Sequence, residues 1–180
     1  MEGNTVIVDI LGDGIDMNGL AIDSVAKFKV TYTDGVDGVE LFRDQFYFAA
    51  EGAETPAFIG TPVRDGYTFA GWKPVVEQSV SGDVVYEATW TANTYTVTFD
   101  VSGGQMDEKS MEFTFDQPMT QLPVPVRPGY TFAGWIDRMG NVYTNETIYQ
   151  VADDLFLIAV WNVNTYTITL DANGGELSIL

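Results

Sequence analysis

Three observations predict a mainly β chain built from small repeated domains. The heptapeptide Gly-Tyr-Thr-Phe-Ala-Gly-Trp occurs twice, as Gly66–Trp72 and as Gly129–Trp135. Apolar and polar residues alternate with a period of two through several short segments, the pattern of strands with one buried face. Turn signals rich in Gly, Pro and Asp separate those segments. An identical heptamer with three aromatic residues does not recur by chance in 180 residues, so the chain is a tandem array of one duplicated unit. An array of that kind is built to extend, display or bind repeatedly, and the reading turns away from a single catalytic site.

The elements follow in order. Phe28-Lys29-Val30-Thr31-Tyr32 opens the first unit with an alternating strand, and Tyr95-Thr96-Val97-Thr98-Phe99 opens the second in the same way. Tyr166, Ile168 and Leu170 alternate with Thr167, Thr169 and Asp171 and predict a third opener. Met111, Phe113 and Phe115, set against Glu112, Thr114 and Asp116, predict the return strand of a hairpin in unit two. Each heptamer leaves a turn, Arg64-Asp65-Gly66 or Arg127-Pro128-Gly129. Pro fixes φ at the first corner of a type II turn and Gly accepts positive φ at the second. The Ala-Gly pairs, Ala70-Gly71 and Ala133-Gly134, predict a bulge that swings Trp72 and Trp135 onto the side of Phe69 and Phe132. Val84–Trp90 and Leu155–Trp161 close the units with strands more apolar than the openers, as expected where both faces are covered. The only helical expectation is a turn or two within Glu146–Asp154.

These landmarks give a unit of about 65 to 70 residues. Unit one is 27–91, unit two is 92–163, and 164–180 is the truncated opening of a third. Residues 1–26 stand outside the repeats; Val6, Val8 and Ile10 alternate like a strand and Gly12-Asp13-Gly14 resembles a turn, so this segment is the end of a preceding domain or an added edge strand. The connectors from Trp90 to Tyr95 and from Trp161 to Tyr166 contain neither Gly nor Pro. At roughly 3.3 Å per residue each spans about 13 Å, too little for free tumbling. The expected arrangement is an elongated, semi-rigid rod.

Composition narrows the chemistry further. The chain has no cysteine and no histidine, which removes disulfides, thiolate and imidazole chemistry and the usual zinc sites. A net charge of −18, spread along the chain, repels nucleic acid and anionic lipid and chiefly confers solubility. No stretch has the roughly 20 apolar residues of a membrane span, and the N-terminus lacks the pattern of a secretory signal. Trp72, Trp90, Trp135 and Trp161 could stack sugars if exposed, but their places beside Ala and Gly favour the core. Asp13, Asp16, Asp34 and Asp37 lie in Gly-rich loops without the ligand spacing of a calcium loop and are read as solvated turn residues. Lys27 and Lys29 are read as surface lysines rather than isopeptide partners, and Asn145-Glu146-Thr147 is a glycosylation sequon that matters only in a eukaryotic secretory pathway. No acidic pair recurs in a pattern that would serve a glycosidase. No catalytic, cofactor-binding or metal-binding residue is assigned.

Together, Ser102-Gly103-Gly104, the block Pro123–Trp135 and the closing Ala159-Val160-Trp161 resemble the Listeria-Bacteroides repeat, also known as the internalin B-repeat. Unit one supplies Pro62-Val63-Arg64, Gly66–Trp72 and Ala88-Thr89-Trp90. It departs by having Asp34-Gly35-Val36-Asp37-Gly38 in place of the double glycine and an added stretch around Phe46–Glu54. The resemblance implies a β-grasp-like fold with several copies in series, in large surface or secreted bacterial proteins, and it brings no catalytic residue with it. The expected function is a non-catalytic, semi-rigid spacer or stalk that presents other domains in adhesion, from a monomeric part of a longer chain, extracellular or attached to the cell wall. The alternative is a repeated low-affinity module for a glycan or host glycoprotein.

Overall fold

The computed structural model describes residues 27–171 and 173–175 of the 180-residue chain. The strand and turn expected within residues 1–26 lie outside the described residues. Among those described there are nine strands and no helix, which agrees with the mainly β expectation. One sheet holds β1 (Lys27–Thr33), β2 (Gln45–Ala50), β3 (Tyr67–Lys73) and β4 (Val84–Ala92) in the order β2-β1-β4-β3. The other holds β5 (Thr94–Asp100), β6 (Ser110–Thr114), β7 (Tyr130–Ile136), β8 (Val142–Tyr143) and β9 (Leu155–Val163) in the order β6-β5-β9-β7-β8. In each sheet the opening strand pairs in parallel with the closing strand, Val30 opposite Val84 and Val97 opposite Leu155. A parallel pair needs a long crossover, and here the chain between uses it to lay down the other strands and the loops that fill the core. This is a β-grasp-like order with irregular chain in place of a crossing helix.

The contacts divide the chain into two compact units, one running to Arg64 and resuming at Phe69–Thr91, the other made of Asp65–Thr68 with the chain from Ala92 onward. In the first, Val30, Tyr32, Val80 and Tyr86 are buried, with Phe58 and Trp72 packed against them. The Tyr32 ring meets Trp72 edge-on at 4.8 Å between centroids, and its hydroxyl donates to the Pro56 carbonyl at 2.7 Å. In the second, Val97, Phe99, Phe113, Met119, Trp135, Tyr149, Leu157 and Ala159 form the buried cluster. The predicted bulge is present: the β7–β9 register shifts between Phe132 and Gly134. Its consequence is also as expected, with Phe132 and Trp135 5.3 Å apart and Phe69 and Trp72 5.2 Å apart.

Four expectations are corrected. The closing strand β4 is not covered on both faces, because Val85 is half exposed and Glu87 is exposed while Tyr86 and Ala88 are buried; a single layer of packing leaves one face to water. Glu146–Asp154 forms no helix. Tyr149 donates its amide to Gln117 O at 2.9 Å and accepts from Asp116 N at 2.8 Å, an extended pairing that leaves its ring in the core. Phe46–Glu54 is not an added stretch, since Phe46–Ala50 belongs to β2 and Phe28 faces Ala49 as Tyr95 faces Phe113. Most of the extra length of the first copy falls in the loop before β2, where a ladder does not fix the length, and that loop sends Phe42 to within 4.9 Å of the Phe58 ring centroid. Finally, Tyr166, Ile168 and Leu170 form no strand and are largely exposed. β5 owes its order to β6 on one side and β9 on the other, and no described strand takes those places beside 166–170.

Two predictions follow from these cores. Trp135 is 1% exposed and its indole donates to Pro123 O at 2.8 Å, so Trp135→Ala is expected to lower stability by about 3–5 kcal/mol; urea unfolding of the two proteins measures it. The Tyr149 hydroxyl donates to Asp153 O at 2.6 Å, and burial first, then the charge of Asp154, raises its pKa from 10.0 to about 12. The neutral form is the one the fold favours, so its contribution is complete below pH ~10 and is lost as pH rises toward ~12. The urea midpoint should fall across that window, and Tyr149→Phe should flatten the fall.

Candidate functional site

The duplicated turn and heptamer set up matching aromatic contacts in each copy. Gly66 and Gly129 have φ of 78° and 79°, the left-handed values that a type II turn requires of its second corner, and Tyr130 N closes the second turn on Arg127 O at 3.1 Å. β7 then carries Phe132 against the closing Trp161, 5.6 Å between centroids, as β3 carries Phe69 against Trp90 at 5.8 Å. The closing indoles are tied back in the same way, Trp161 Nε1 to Val101 O at 3.0 Å and Trp90 Nε1 to Asp34 O at 2.9 Å. Gly104 lies under the Trp161 ring so closely that a Cβ would come within 2.5 Å of it, which accounts for the second glycine of the Gly-Gly turn.

Beside this turn in the second unit runs an open groove of ≈600 Å³, lined by Gln105, Val124–Pro128, Tyr130–Phe132 and Trp161. Its one charged residue is Arg127. The guanidinium lies 3.8 Å from the Tyr130 ring centroid and 6.0 Å from that of Trp161, and donates to Ser102 O at 3.1 Å. A planar cation held between an aromatic face and a carbonyl is fixed in place rather than free to sweep through solvent. No carboxylate is among its lining residues. Gln105 and Val126, both in its lining, are joined by an isolated bridge, which no motif in the sequence announced.

The tryptophans sit inside or at the edge of the cores, and none is fully exposed. Asp37 is exposed, and several other acidic loop residues hold backbone amides. Asp34 accepts the amides of Val36 and Leu41 at 3.0 and 2.8 Å. Asp83 accepts from Lys29 N at 2.7 Å and Asp154 from Thr96 N at 2.8 Å, the same cap on the opening strand of both copies. Asp137 accepts from Asn141 and Met139, and those hydrogen bonds, led by the Asn141 side chain, hold its carboxyl below the ordinary range. Asp13 and Asp16 lie outside the described residues, among which no group of three or more acidic side chains gathers in metal-binding range. Lys27 and Lys29 are exposed, with the Lys29 ammonium 5.1 Å from the Phe46 ring centroid. Asn145 of the sequon accepts the Leu122 amide at 2.9 Å.

With this geometry established, the family model of the Listeria-Bacteroides repeat domain matches residues 28–91 and again 95–160. The chain belongs to the Listeria-Bacteroides repeat family. Relatives include a protein of Evansella cellulosilytica bearing the name of a Gly-rich membrane protein, 31% identical over 132 residues, which covers 64% of this chain and 15% of that protein. Internalin H of Listeria monocytogenes is 28% identical over 109 residues, 50% of this chain and 19% of the internalin. The chain thus spans less than a fifth of the length of these relatives. No helix among the described residues is long and apolar enough to cross a membrane.

Proposed function

We propose that this tandem Listeria-Bacteroides repeat segment is a non-catalytic, semi-rigid spacer in a bacterial surface or secreted protein, presenting other domains in adhesion. The observation that carries the reading is the shortness of the connection between repeats. β4 ends at Ala92 and β5 begins at Thr94, so Asn93 alone lies between, and its amide is bonded to Gly66 O at 2.9 Å. A linker with neither free length nor glycine transmits direction from one domain to the next. The tied-back tryptophans support the same reading, because their rings close cores instead of forming a sugar platform. An extracellular or wall-attached location fits the internalin relative and the acidic, cysteine-free composition.

Small-angle scattering from chains of increasing repeat number provides the test. The maximum dimension is expected to grow by on the order of 25–35 Å per added unit; a dimension that stays nearly constant as units are added would overturn the spacer reading. The groove at Arg127, Tyr130 and Trp161 supports a second reading, a repeated weak site for a glycan or host glycoprotein. A multi-repeat chain on a glycan array should then give signal that rises steeply with repeat number, and silence at high density removes that reading.

A further inference from the structure

The second compact unit contains the same turn twice, once as its added piece Asp65–Thr68 and once within its own sequence, and only one of the two is covered. Both are clamped by an asparagine in the same geometry. Asn93 N donates to Gly66 O and Asn164 N to Gly129 O, each at 2.9 Å. Thr68 Oγ1 donates to Asn93 Oδ1 and Thr131 Oγ1 to Asn164 Oδ1, each at 2.6 Å. Asn93 Nδ2 lies 3.4 Å from the Tyr95 hydroxyl, and Asn164 Nδ2 lies 3.4 Å from that of Tyr166. Backbone, clamp and following tyrosine are therefore repeated to within a tenth of an ångström.

The difference lies on the outer side of the turn. The Phe115 ring sits on Gly66, where a Cβ would come within 2.5 Å of its carbons. The same ring meets Tyr67 edge-on at 5.4 Å, and the Tyr67 hydroxyl donates to Asp116 Oδ2 at 2.6 Å. Among the described residues nothing lies within 4 Å of a Cβ position on Gly129, and the Tyr130 hydroxyl has no hydrogen-bond partner. Phe115 stands just past the end of β6, and Asp116 has positive φ, 59°, so the loop that supplies the pair is shaped for it.

We propose that Gly129 and Tyr130 form a docking surface for a further repeat of this family entering after Asn164, whose loop past its second strand would set an aromatic ring on Gly129 and a carboxylate on the Tyr130 hydroxyl. The occupant is fixed by the covered copy: an aromatic–acid pair is what the identical turn already holds. The clamp at Asn164 and the renewed pattern Asn164-Thr165-Tyr166-Thr167 direct the chain as Asn93-Thr94-Tyr95-Thr96 does. The proposal deepens the spacer reading but can fail separately from it, because units could extend in series while leaving Gly129 and the Tyr130 hydroxyl uncovered.

The experiment compares the 180-residue chain with a longer one in which a second copy of residues 93–163 replaces 164–180, using tyrosine-ring NMR signals as the probe. Phe115→Ala in the shorter chain calibrates the ring-current shift that a covering phenylalanine causes at Tyr67. In the longer chain the Tyr130 signals are expected to move by a comparable amount and to return when the appended counterpart of Phe115 is changed to Ala. Tyr130→Phe is expected to shift the unfolding equilibrium of the longer chain roughly tenfold, the effect of losing a hydrogen bond to a carboxylate, and to leave the shorter chain nearly unchanged. Tyr130 signals that are identical in the two chains, or a displacement that survives the Phe→Ala change, would overturn the proposal. So would a Tyr130 shift that depends on the concentration of the shorter chain, since a second copy would then be the occupant. Scattering from the same two chains tests the spacer reading independently.

Discussion

The small size of the repeat is the constraint on which the rest of the structure depends. A unit of about 65 to 70 residues without disulfides must close its core with few side chains, and large aromatic ones supply the most apolar area per residue. The bulge in the heptamer strand makes this possible by placing two rings, three positions apart in one heptamer, on the same face. Phe132 then stands between Trp135 and Trp161 at 5.3 and 5.6 Å, and Phe69 between Trp72 and Trp90 at 5.2 and 5.8 Å. The turn glycine, the clamp asparagine and the anchored closing indole all serve to hold this three-ring wedge. The heptamer is thus repeated because the wedge is, and its rings are spent on cohesion within the unit.

The parts of this design that depend on local chemistry were legible in the sequence. Pro128-Gly129 gave its turn through fixed and positive φ, the Ala-Gly pair gave the bulge, and Val97 and Phe99 showed their burial by alternation. What could not be read was decided by distant partners. Met119 and Tyr149 are fully buried although they lie in loops without periodicity, because an isolated bridge between Pro118 and Ile148 draws two irregular segments over the sheet. The alternation at Tyr166–Leu170 is as clear as that at Tyr95–Phe99, yet a strand requires neighbours that no local pattern can supply. The groove at Arg127 was equally hidden, since the arginine was noted as part of a motif while the Tyr130 face and the Ser102 carbonyl that fix it come from the turn and from a loop some 25 residues away.

The acidic residues gain meaning in the same way. Read as composition they account for solubility, but Asp83 and Asp154 each cap the amide of an opening strand near its start, and Asp34, Asp100 and Asp137 each hold a loop amide two residues ahead. Carboxylates that accept backbone amides stabilise turns that glycine alone would leave loose. Membership in the Listeria-Bacteroides repeat family accords with this economy: loops are tied by acids, cores by rings, and the surface between them is left free to vary.

The parallel pairing of first and last strands has a mechanical meaning. When the ends of a unit are drawn apart, tension enters at the start of β5 and leaves at the end of β9, so the two neighbours are pulled along their length in opposite senses. The hydrogen bonds from Val97–Leu155 to Asp100–Ile158 then bear the load together as a shear, whereas a hairpin pulled at its open end parts one rung at a time. A unit pulled at its two ends would resist traction in the direction along which it is pulled.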